Sequence, residues 1–571
     1  MTSDTQAPPV QFDSDWSLRP WVLGALLGAA GLLVYLIADG NEQSRARMAL
    51  AAFVFFSGIF AAFTIDRDRW FQPLIAALVA GLVMAGLAWQ AVDPNDWAAT
   101  DELAFGAGVV AITLSVPLFQ AGFHRLRFRT PYRDTHFHVW TDIVSGAGAL
   151  AFVGLSWALI AVLSELFRLL QIDLLKDLID EEWFGWTYSG LTFGAALGTL
   201  RNQLRILGTL QSVVLLVLSL LAVPLAAALV LFLAAMVLSG PEVLWQATRS
   251  ATPILLACAF GAFVLTNAII RDDESEMTRS RIMRVTALIL ALGILPLTVF
   301  AAVSMGTRVA QHGLSPERIW GLIAIGFACA YGLAYVVAVA RGRKAGWHDA
   351  LRRANLHLAV VGCLLALIVA LPLFDFGAIS ARNQIARLEA GKVSVDDFDY
   401  AALRWDFGEG GRKALRVLAR SDRAEVKTLA AEALAQKERP ERYFSAPDDK
   451  AKRLANLRMD FTDPALRERA QKAVLGTQWA CHSPCVVIDL GPGEGDKRRL
   501  ARVENYAYTL FQIDLADKDF TVSEEEMASP VDIAGAEDSN VSVKADSRVE
   551  VRPFTGQQIY IDGKPLGAPF E

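Results

Sequence analysis

Three histidines, four arginines and two aspartates lie within residues 124–142, in the sequence HRLRFRTPYRDTHFHVWTD. Imidazole and carboxylate groups can hold a metal ion, and guanidinium groups bind the phosphates of anionic lipid headgroups. The alternative, which the composition favours, is a basic loop that sets membrane orientation, with its histidines at the interface. No metal ligand is assigned. The candidate polar or lipid-headgroup site consists of Arg129, Arg133, His136, His138 and Asp142.

Two of the five cysteines, Cys481 and Cys485, form the motif WACHSPC. This spacing is compatible with a disulfide, half of a metal site or two free thiols. A disulfide is favoured because no second cysteine pair or nearby histidine cluster completes a zinc site. It requires that this part of the chain lies outside the cytoplasm.

The segment CVVIDLGPGEGD, from Cys485 to Asp496, has the strand and glycine-rich turn of a nucleotide-dependent methyltransferase motif. Fewer than 90 residues follow it, and they are mostly strand-like, too few for the alternating β/α units of that fold. We therefore expect a β-hairpin loop. No other catalytic constellation is present in the sequence, so neither an enzymatic activity nor a cofactor is predicted.

The elements that position these residues are long apolar runs. The chain has 571 residues, of which 54% are hydrophobic and only 20% are charged, and its mean hydropathy is +0.35. About 20 apolar residues suffice to cross a bilayer core. Eleven transmembrane helices are predicted, at about 20–38, 49–65, 71–92, 103–122, 139–163, 187–200, 209–238, 252–270, 285–305, 319–340 and 356–374. The sixth run is short and rich in glycine.

Basic residues predict the orientation of these helices. Links on one side of the predicted membrane hold 17 lysines and arginines, and links on the other side hold 7. The richer side should be the cytoplasm. With an odd number of crossings, the N-terminus is then cytoplasmic and the C-terminal part periplasmic, in a bacterial inner membrane.

The predicted fold is an all-α integral membrane helical bundle followed by a C-terminal soluble α+β domain. The predicted division is a cytoplasmic tail at 1–19, a transmembrane domain at 20–375, a helical extramembrane segment at 376–478 and a small β-rich domain at 479–571. Short β-type runs after Trp479 and the turn signal Asp562-Gly563 support the last of these.

Several motifs resemble a bacterial multi-pass membrane family known as domain of unknown function 4153. One is Trp140 early in the fifth run, and another is the sequence Leu-Phe-x-x-Leu-x-Ile at Leu166–Ile172, expected to be helical. The third is a link between the ninth and tenth runs, in which His312 stands where the family more often has an aromatic residue. That link contains Arg308, Gln311, Gly313, Leu314, Pro316 and Arg318. The resemblance covers most of residues 20–375 and implies no activity, substrate or catalytic residue.

These observations predict a non-enzymatic envelope scaffold or sensor with a periplasmic tail that binds a ligand or partner. Membrane lipids and an envelope protein are the expected partners, and no nucleic acid is expected. The alternative is a transporter or lipid-handling protein with its polar site near Asp142, because ionisable residues within membrane helices usually serve function. The scarcity of such residues in the other runs argues against transport.

Overall fold

In the computed structural model, the chain divides into two compact units, 1–439 and 440–571. The structure describes residues 16–40, 44–92, 99–240, 251–273, 277, 280–342, 346–436, 453–476, 480–481, 483–493, 497–504, 507–514, 523–524, 547–553, 557–561 and 564–570.

Ten helices of the described residues are long and apolar enough to cross a membrane. Their shortest members have 20 residues, about 30 Å at 1.5 Å per residue, which matches a bilayer core. They are α1 (Arg19–Ala38), α2 (Arg45–Thr64), α3 (Phe71–Ala91), α4 (Ala99–Gln120), α6 (Tyr132–Arg168), α9 (Leu204–Ser239), α10 (Ala251–Ile270), α11 (Arg281–His312), α12 (Pro316–Gly342) and α13 (Trp347–Ala370).

Shorter or more polar helices lie between these ten. They are α5 (Phe123–Leu126), followed by a 3-10 turn at Arg127–Arg129, α7 (Leu174–Asp180) and α8 (Glu182–Asn202). The sixth predicted crossing, 187–200, lies within α8, which is helical but is not one of the ten. The motif Leu166–Ile172, expected to be helical, instead spans the end of α6 and a turn in which Gln171 is left-handed (φ +60°).

Helix α8 packs against α1 with almost no space between the two backbones. A Cβ atom on Gly194 would lie 2.2 Å from the carbonyl oxygen of Leu23, and one on Gly31 would lie 2.3 Å from that of Trp186. Small residues at every third or fourth position allow this approach, as in close helix pairs of membrane proteins. The glycines are Gly24, Gly28 and Gly31 on α1, and Gly190, Gly194 and Gly198 on α8.

Charged side chains join α1, α2 and α8 at one end of this pair. Arg19 is fully buried, donates to the carbonyl oxygen of Arg201 at 3.1 Å and forms an ion pair with Asp66 at 2.7 Å. Arg201 in turn donates to the carbonyl oxygen of Ala62 at 2.7 Å, near the end of α2. The start of α1 and the ends of α2 and α8 therefore lie together.

Four helices after the last apolar helix form a module that belongs to the first unit. They are α14 (Phe376–Glu389), α15 (Tyr400–Trp405), α16 (Gly408–Leu418) and α17 (Ala424–Ala435). Asp375 caps α14 by accepting from the amide of Ala378 at 2.7 Å, and Asp399 caps α15 in the same way. The module has its own core, which includes Leu388, Leu403, Leu415 and Ala430.

The second unit contains one helix and two sheets. Helix α18 (Pro464–Gly476) accompanies a five-stranded sheet of β1 (Leu457–Met459), β2 (Cys485–Pro492), β3 (Lys497–Glu504), β4 (Ala507–Asp514) and β5 (Ser523–Glu524), in that spatial order. The second sheet has the order β6 (Val549–Pro553), β7 (Gln557–Ile561), β8 (Lys564–Phe570). Strand β2 is parallel to β1 and antiparallel to β3.

The two faces of β2 are buried against different partners. Val487 packs in a cluster with Leu466 of α18, and Val486 packs in a cluster with Ile559 of β7. The helix therefore covers one face of the larger sheet, and the smaller sheet covers the other. The boundary between the units, at 439/440, differs from the predicted one at 478/479, since α18 completes the core of the β-rich unit.

The glycine-rich segment after β2 connects two antiparallel strands, so the predicted hairpin is confirmed. Gly491 adopts φ +104°, which favours glycine, and the amide of Gly493 donates to the carbonyl oxygen of Lys497 at 2.8 Å. Partial burial would raise the pKa of Asp489, but hydrogen bonds from Arg498 and from the Gly491 amide outweigh it and hold that pKa below its usual value. The turn Asp562-Gly563 lies outside the described residues, between the antiparallel strands β7 and β8.

The close approach of α1 and α8 makes Gly194 sensitive to a single added methyl group. We expect Gly194→Ala to lower the free energy of unfolding by about 1–3 kcal/mol, because neither backbone can move away without disturbing its neighbours. Unfolding of the purified chain in detergent, followed by tryptophan fluorescence, measures the change. The matched control is Gly185→Ala on the same helix, where an added Cβ meets nothing within 4 Å. Equal behaviour of the two variants would contradict the packing described here.

Candidate functional site

A closed ring of hydrogen bonds lies between three of the apolar helices. Asn267 Nδ2 on α10 donates to Tyr335 Oη on α12 at 2.8 Å, and Tyr335 Oη donates to Asn355 Oδ1 on α13 at 2.9 Å. Asn355 Nδ2 closes the ring by donating to Asn267 Oδ1 at 2.6 Å. All three residues are buried. We call these three residues the polar ring. Because each amide and the phenol find partners, the ring fixes α10, α12 and α13 relative to one another.

Tyr132, near the start of α6, attaches a fourth helix to the polar ring. Its hydroxyl group accepts from Asn355 Nδ2 at 3.3 Å and lies 3.4 Å from Asn267 Oδ1. One turn from Asn355 on α13, Arg352 donates to the carbonyl oxygens of Ile270 and Arg271 at 2.9 and 3.2 Å. These carbonyls belong to the C-terminal end of α10, where a positive charge is electrostatically favourable. Arg352 thus caps the C-terminal end of α10 and ties it to α13, next to the polar ring.

His136 lies one turn after Tyr132 and is also buried. Trp140 Nε1 donates to His136 Nε2 at 3.1 Å. An indole nitrogen can only donate, so Nε2 must accept and the proton of a neutral imidazole sits on Nδ1. Among the described residues, His136 Nδ1 has no hydrogen-bond partner. This leaves a buried donor without a partner in the described part of the chain, next to Tyr132, whose ring lies 5.6 Å from that of His136.

The five residues of the predicted polar site are distributed over several places. Arg129 is exposed on the 3-10 turn, and Arg133 lies 3.6 Å from the carboxylate of Asp272. His136 bonds to Trp140 as described, and the ring of His138 lies 5.5 Å from that of Phe137. Asp142 accepts from Gln120 on α4 at 3.1 Å. The contacts of these residues lead to different neighbours, and among the contacts described here only those of His136 include Tyr132, which bonds to the polar ring.

The predicted family-like link between α11 and α12 has a structural role. Gly313 adopts φ +74°, and Arg318 donates to its carbonyl oxygen at 2.7 Å. The next residue, Leu314, donates its amide to Asn383 Oδ1 on α14 at 2.8 Å. Gln384 of α14 donates to the carbonyl oxygens on both sides of Gly313, at 2.9 and 2.8 Å. Helix α14 therefore holds this link in one conformation.

Other residues of the link agree with this role. The carbonyl oxygens of Ala310 and Gln311 accept from Arg387 of α14 at 3.1 and 2.5 Å. Pro316 is the first residue of α12, where its missing N–H costs nothing. A Cβ atom on Gly313 would lie 2.7 Å from the side chains of Gln384 and Arg387. Only glycine fits beneath α14 at this position.

The structure joins Cys481 and Cys485 in a disulfide, as predicted. Glu504 Oε1 accepts from the amide of Cys481 at 2.9 Å and is paired with Arg502 at 2.9 Å. In the described part of the chain, these two sulfurs and this carboxylate are the one group of ligand atoms close enough to hold a metal ion. Because the two sulfurs are joined in a disulfide, they cannot act as thiolate ligands. The disulfide and the bond from the Cys481 amide to Glu504 instead hold the start of β2.

The ten apolar helices and the separate unit of helix and sheets define the class of protein, a multi-pass helical membrane protein with a C-terminal α+β unit. Residues 48–418, more than half of the chain, match the family described as Domain of unknown function (DUF4153), and the chain belongs to that family. No curated protein and no solved structure matches it. The matched range contains the polar ring, the link and helices α14–α16, and excludes α1 and the C-terminal unit.

The polar ring predicts a difference between two tyrosines on one helix. Tyr335→Phe should lower the free energy of unfolding by about 1–3 kcal/mol, because it opens the ring and removes the hydroxyl group that donates to the buried Asn355 Oδ1 and accepts from Asn267 Nδ2. Tyr331→Phe is the control, since the Tyr331 hydroxyl forms no hydrogen bond among the described residues and lies one turn away. Unfolding in detergent measures both variants. Equal losses would show that the ring adds nothing beyond aromatic packing.

Proposed function

We propose that this protein is a non-enzymatic scaffold or sensor of the bacterial inner membrane whose C-terminal unit binds a ligand or partner in the periplasm. One observation carries the proposal: polar side chains that join different membrane helices bond to one another and to helix-end carbonyls. The polar ring and the caps formed by Arg201 and Arg352 are examples. Groups used in this way hold helices together, and they leave the separate C-terminal unit as the part available for recognition.

An eleventh crossing, α8, completes the proposed topology. Hydropathy alone leaves α8 out, but its glycines meet α1 at Leu23 and Leu27, and its first turn meets Gly31. At the opposite end, Asn202 Nδ2 donates to the carbonyl oxygen of Trp16 at 2.7 Å. Because α8 runs antiparallel to α1 and contacts it from one end to the other, α8 crosses the membrane if α1 does. This supports an odd number of crossings.

With eleven crossings, the two ends of the chain lie on opposite sides of the membrane. The excess of basic residues in alternate links supports a cytoplasmic N-terminus. The disulfide between Cys481 and Cys485 supports a periplasmic C-terminal unit, because disulfides persist in oxidising compartments. An envelope protein and membrane lipids are the partners that this location offers.

The second candidate function is a transporter or lipid-handling protein. The specific observation in its favour is the buried Nδ1 of His136, which has no hydrogen-bond partner among the described residues, on a ring that lies next to Tyr132. Asp142 on the same helix, bonded to Gln120, adds an ionisable group close to the membrane surface. In this account the membrane helices carry the function and the C-terminal unit is dispensable.

Complementation of a strain that lacks the gene separates the two functions. A chain ending at residue 439 should accumulate in the membrane but fail to restore the wild-type phenotype, whereas Asp142→Asn and His136→Gln should restore it. Membrane levels of each variant, measured by immunoblot, are the control. Restoration by the shortened chain together with failure of both substitutions would refute the scaffold proposal and support a carrier.

A further inference from the structure

The connector between α4 and α6 lies across the end of the helix bundle. The chain turns at Gly122 (φ +76°), immediately after α4, and again at Arg127 (φ +54°). A left-handed conformation is costly for a non-glycine residue and persists where the surrounding structure enforces it. Here the hydroxyl and amide groups of Thr130 both bond to the carbonyl oxygen of Arg127, at 2.7 and 3.1 Å. The connector therefore has a defined backbone conformation.

Aromatic rings hold this segment against the bundle. His124 stacks on Phe119 of α4, with ring centroids 4.7 Å apart, and Phe128 lies 5.4 Å from His357 of α13. Phe123 packs edge-on against Phe128 at 5.5 Å. Two different membrane helices thus anchor the segment. Phe119 is one residue from the end of α4, and His357 follows the basic residues Arg352 and Arg353 of α13.

The segment presents three guanidinium groups to its surroundings. Arg125, Arg127 and Arg129 are exposed, and none of them forms an ion pair or side-chain hydrogen bond within the described residues. Burial and the neighbouring Arg125 lower the pKa of His124, which disfavours the charged form of its imidazole. Leu126 and Phe128 lie between these arginines and are 48% and 60% exposed.

A second connector at the same end of the bundle also carries arginines and an exposed aromatic side chain, together with Asp66 and Asp68. Gln120 Nε2 at the end of α4 donates to the carbonyl oxygen of Phe63 at 2.8 Å, which places the ends of α2 and α4 together. After α2, Arg67 and Arg69 are followed by Trp70, which is 57% exposed. Alternating cations and exposed aromatic side chains are typical of the boundary between headgroups and acyl chains.

We infer that the segment Phe123–Arg129 is a binding site for an anionic glycerophospholipid. Arg125, Arg127 and Arg129 contact the headgroup phosphate, and Leu126 and Phe128 lie against the acyl chains. Guanidinium groups suit this ligand because they donate two parallel hydrogen bonds to phosphate oxygens. The site goes beyond the proposed function, since a scaffold and a carrier could both use it.

The test is native mass spectrometry of the purified full-length chain in detergent, titrated with phosphatidylglycerol or with phosphatidylcholine of the same acyl chains. The wild-type chain should retain phosphatidylglycerol in preference to phosphatidylcholine. Each basic residue near an anionic lipid contributes about fivefold in affinity. The triple variant Arg125→Gln, Arg127→Gln, Arg129→Gln should therefore bind phosphatidylglycerol about a hundredfold more weakly and bind phosphatidylcholine unchanged.

Two further variants serve as controls. Replacing Lys413, Arg420 and Arg423 by glutamine removes three exposed charges from the α16–α17 region and should leave lipid binding unchanged. Replacing the three segment arginines by lysine keeps the charge and should retain most of the binding, which separates loss of charge from misfolding. Equal binding of the two lipids by the wild-type chain, or an unchanged affinity in the glutamine variant, would overturn the inference. Displacement of the lipid by millimolar inorganic phosphate would also overturn it, in favour of a site for soluble anions.

Discussion

The packing of α1 on α8 is the contact on which the proposed topology depends. Glycine on both helices lets the two backbones approach until a single Cβ would overlap a carbonyl oxygen, as at Gly194 and Leu23. Lipid tails are as apolar as hydrophobic side chains, so no hydrophobic effect drives helices together in a membrane. Membrane helices associate instead through close backbone contact and hydrogen bonds. Both are present here, since Arg19, Asp66 and Arg201 join the same helices at one end. These contacts support the proposed crossing of α8 beside α1, despite the modest mean hydropathy of α8.

A second recurring interaction joins the ends of the helices. The last carbonyls of a helix lack internal partners, and arginine supplies donors together with a favourable charge. Arg201 serves α2, Arg352 serves α10, Arg387 serves α11 and Arg453 serves α18 in the C-terminal unit. Arg45 does the same for Val92 after α3, on the side poor in basic residues. Three of these residues, Arg45, Arg201 and Arg352, also belong to the links whose basic residues predict the orientation.

Much of this architecture could be predicted from the sequence, because apolar runs of about 20 residues leave few alternatives. The ten most apolar helices, the hairpin after β2 and the bond between Cys481 and Cys485 follow from local patterns. The polar ring does not. Asn267 and Asn355 are 88 residues apart, and Tyr132 lies 223 residues from Asn355, so each appears in the sequence as an isolated polar residue. Likewise, the residues 124–142 look like one site, whereas their helical periodicity directs them to different neighbours.

The proposed topology depends on an odd number of membrane crossings. An odd number places the N-terminus and the C-terminal unit on opposite sides of the membrane, which can be measured directly. The measurement is labelling of sealed spheroplasts by a membrane-impermeant maleimide, in a chain whose Cys258, Cys329 and Cys363 are replaced by alanine. Cys481 and Cys485 are buried in a disulfide and do not react, so the reporter of the C-terminal unit is Glu468→Cys at an exposed position of α18. Eleven crossings predict that Glu468→Cys reacts in intact spheroplasts, whereas Ser3→Cys reacts only after lysis. Reaction of both ends on the same side of the membrane would contradict the account.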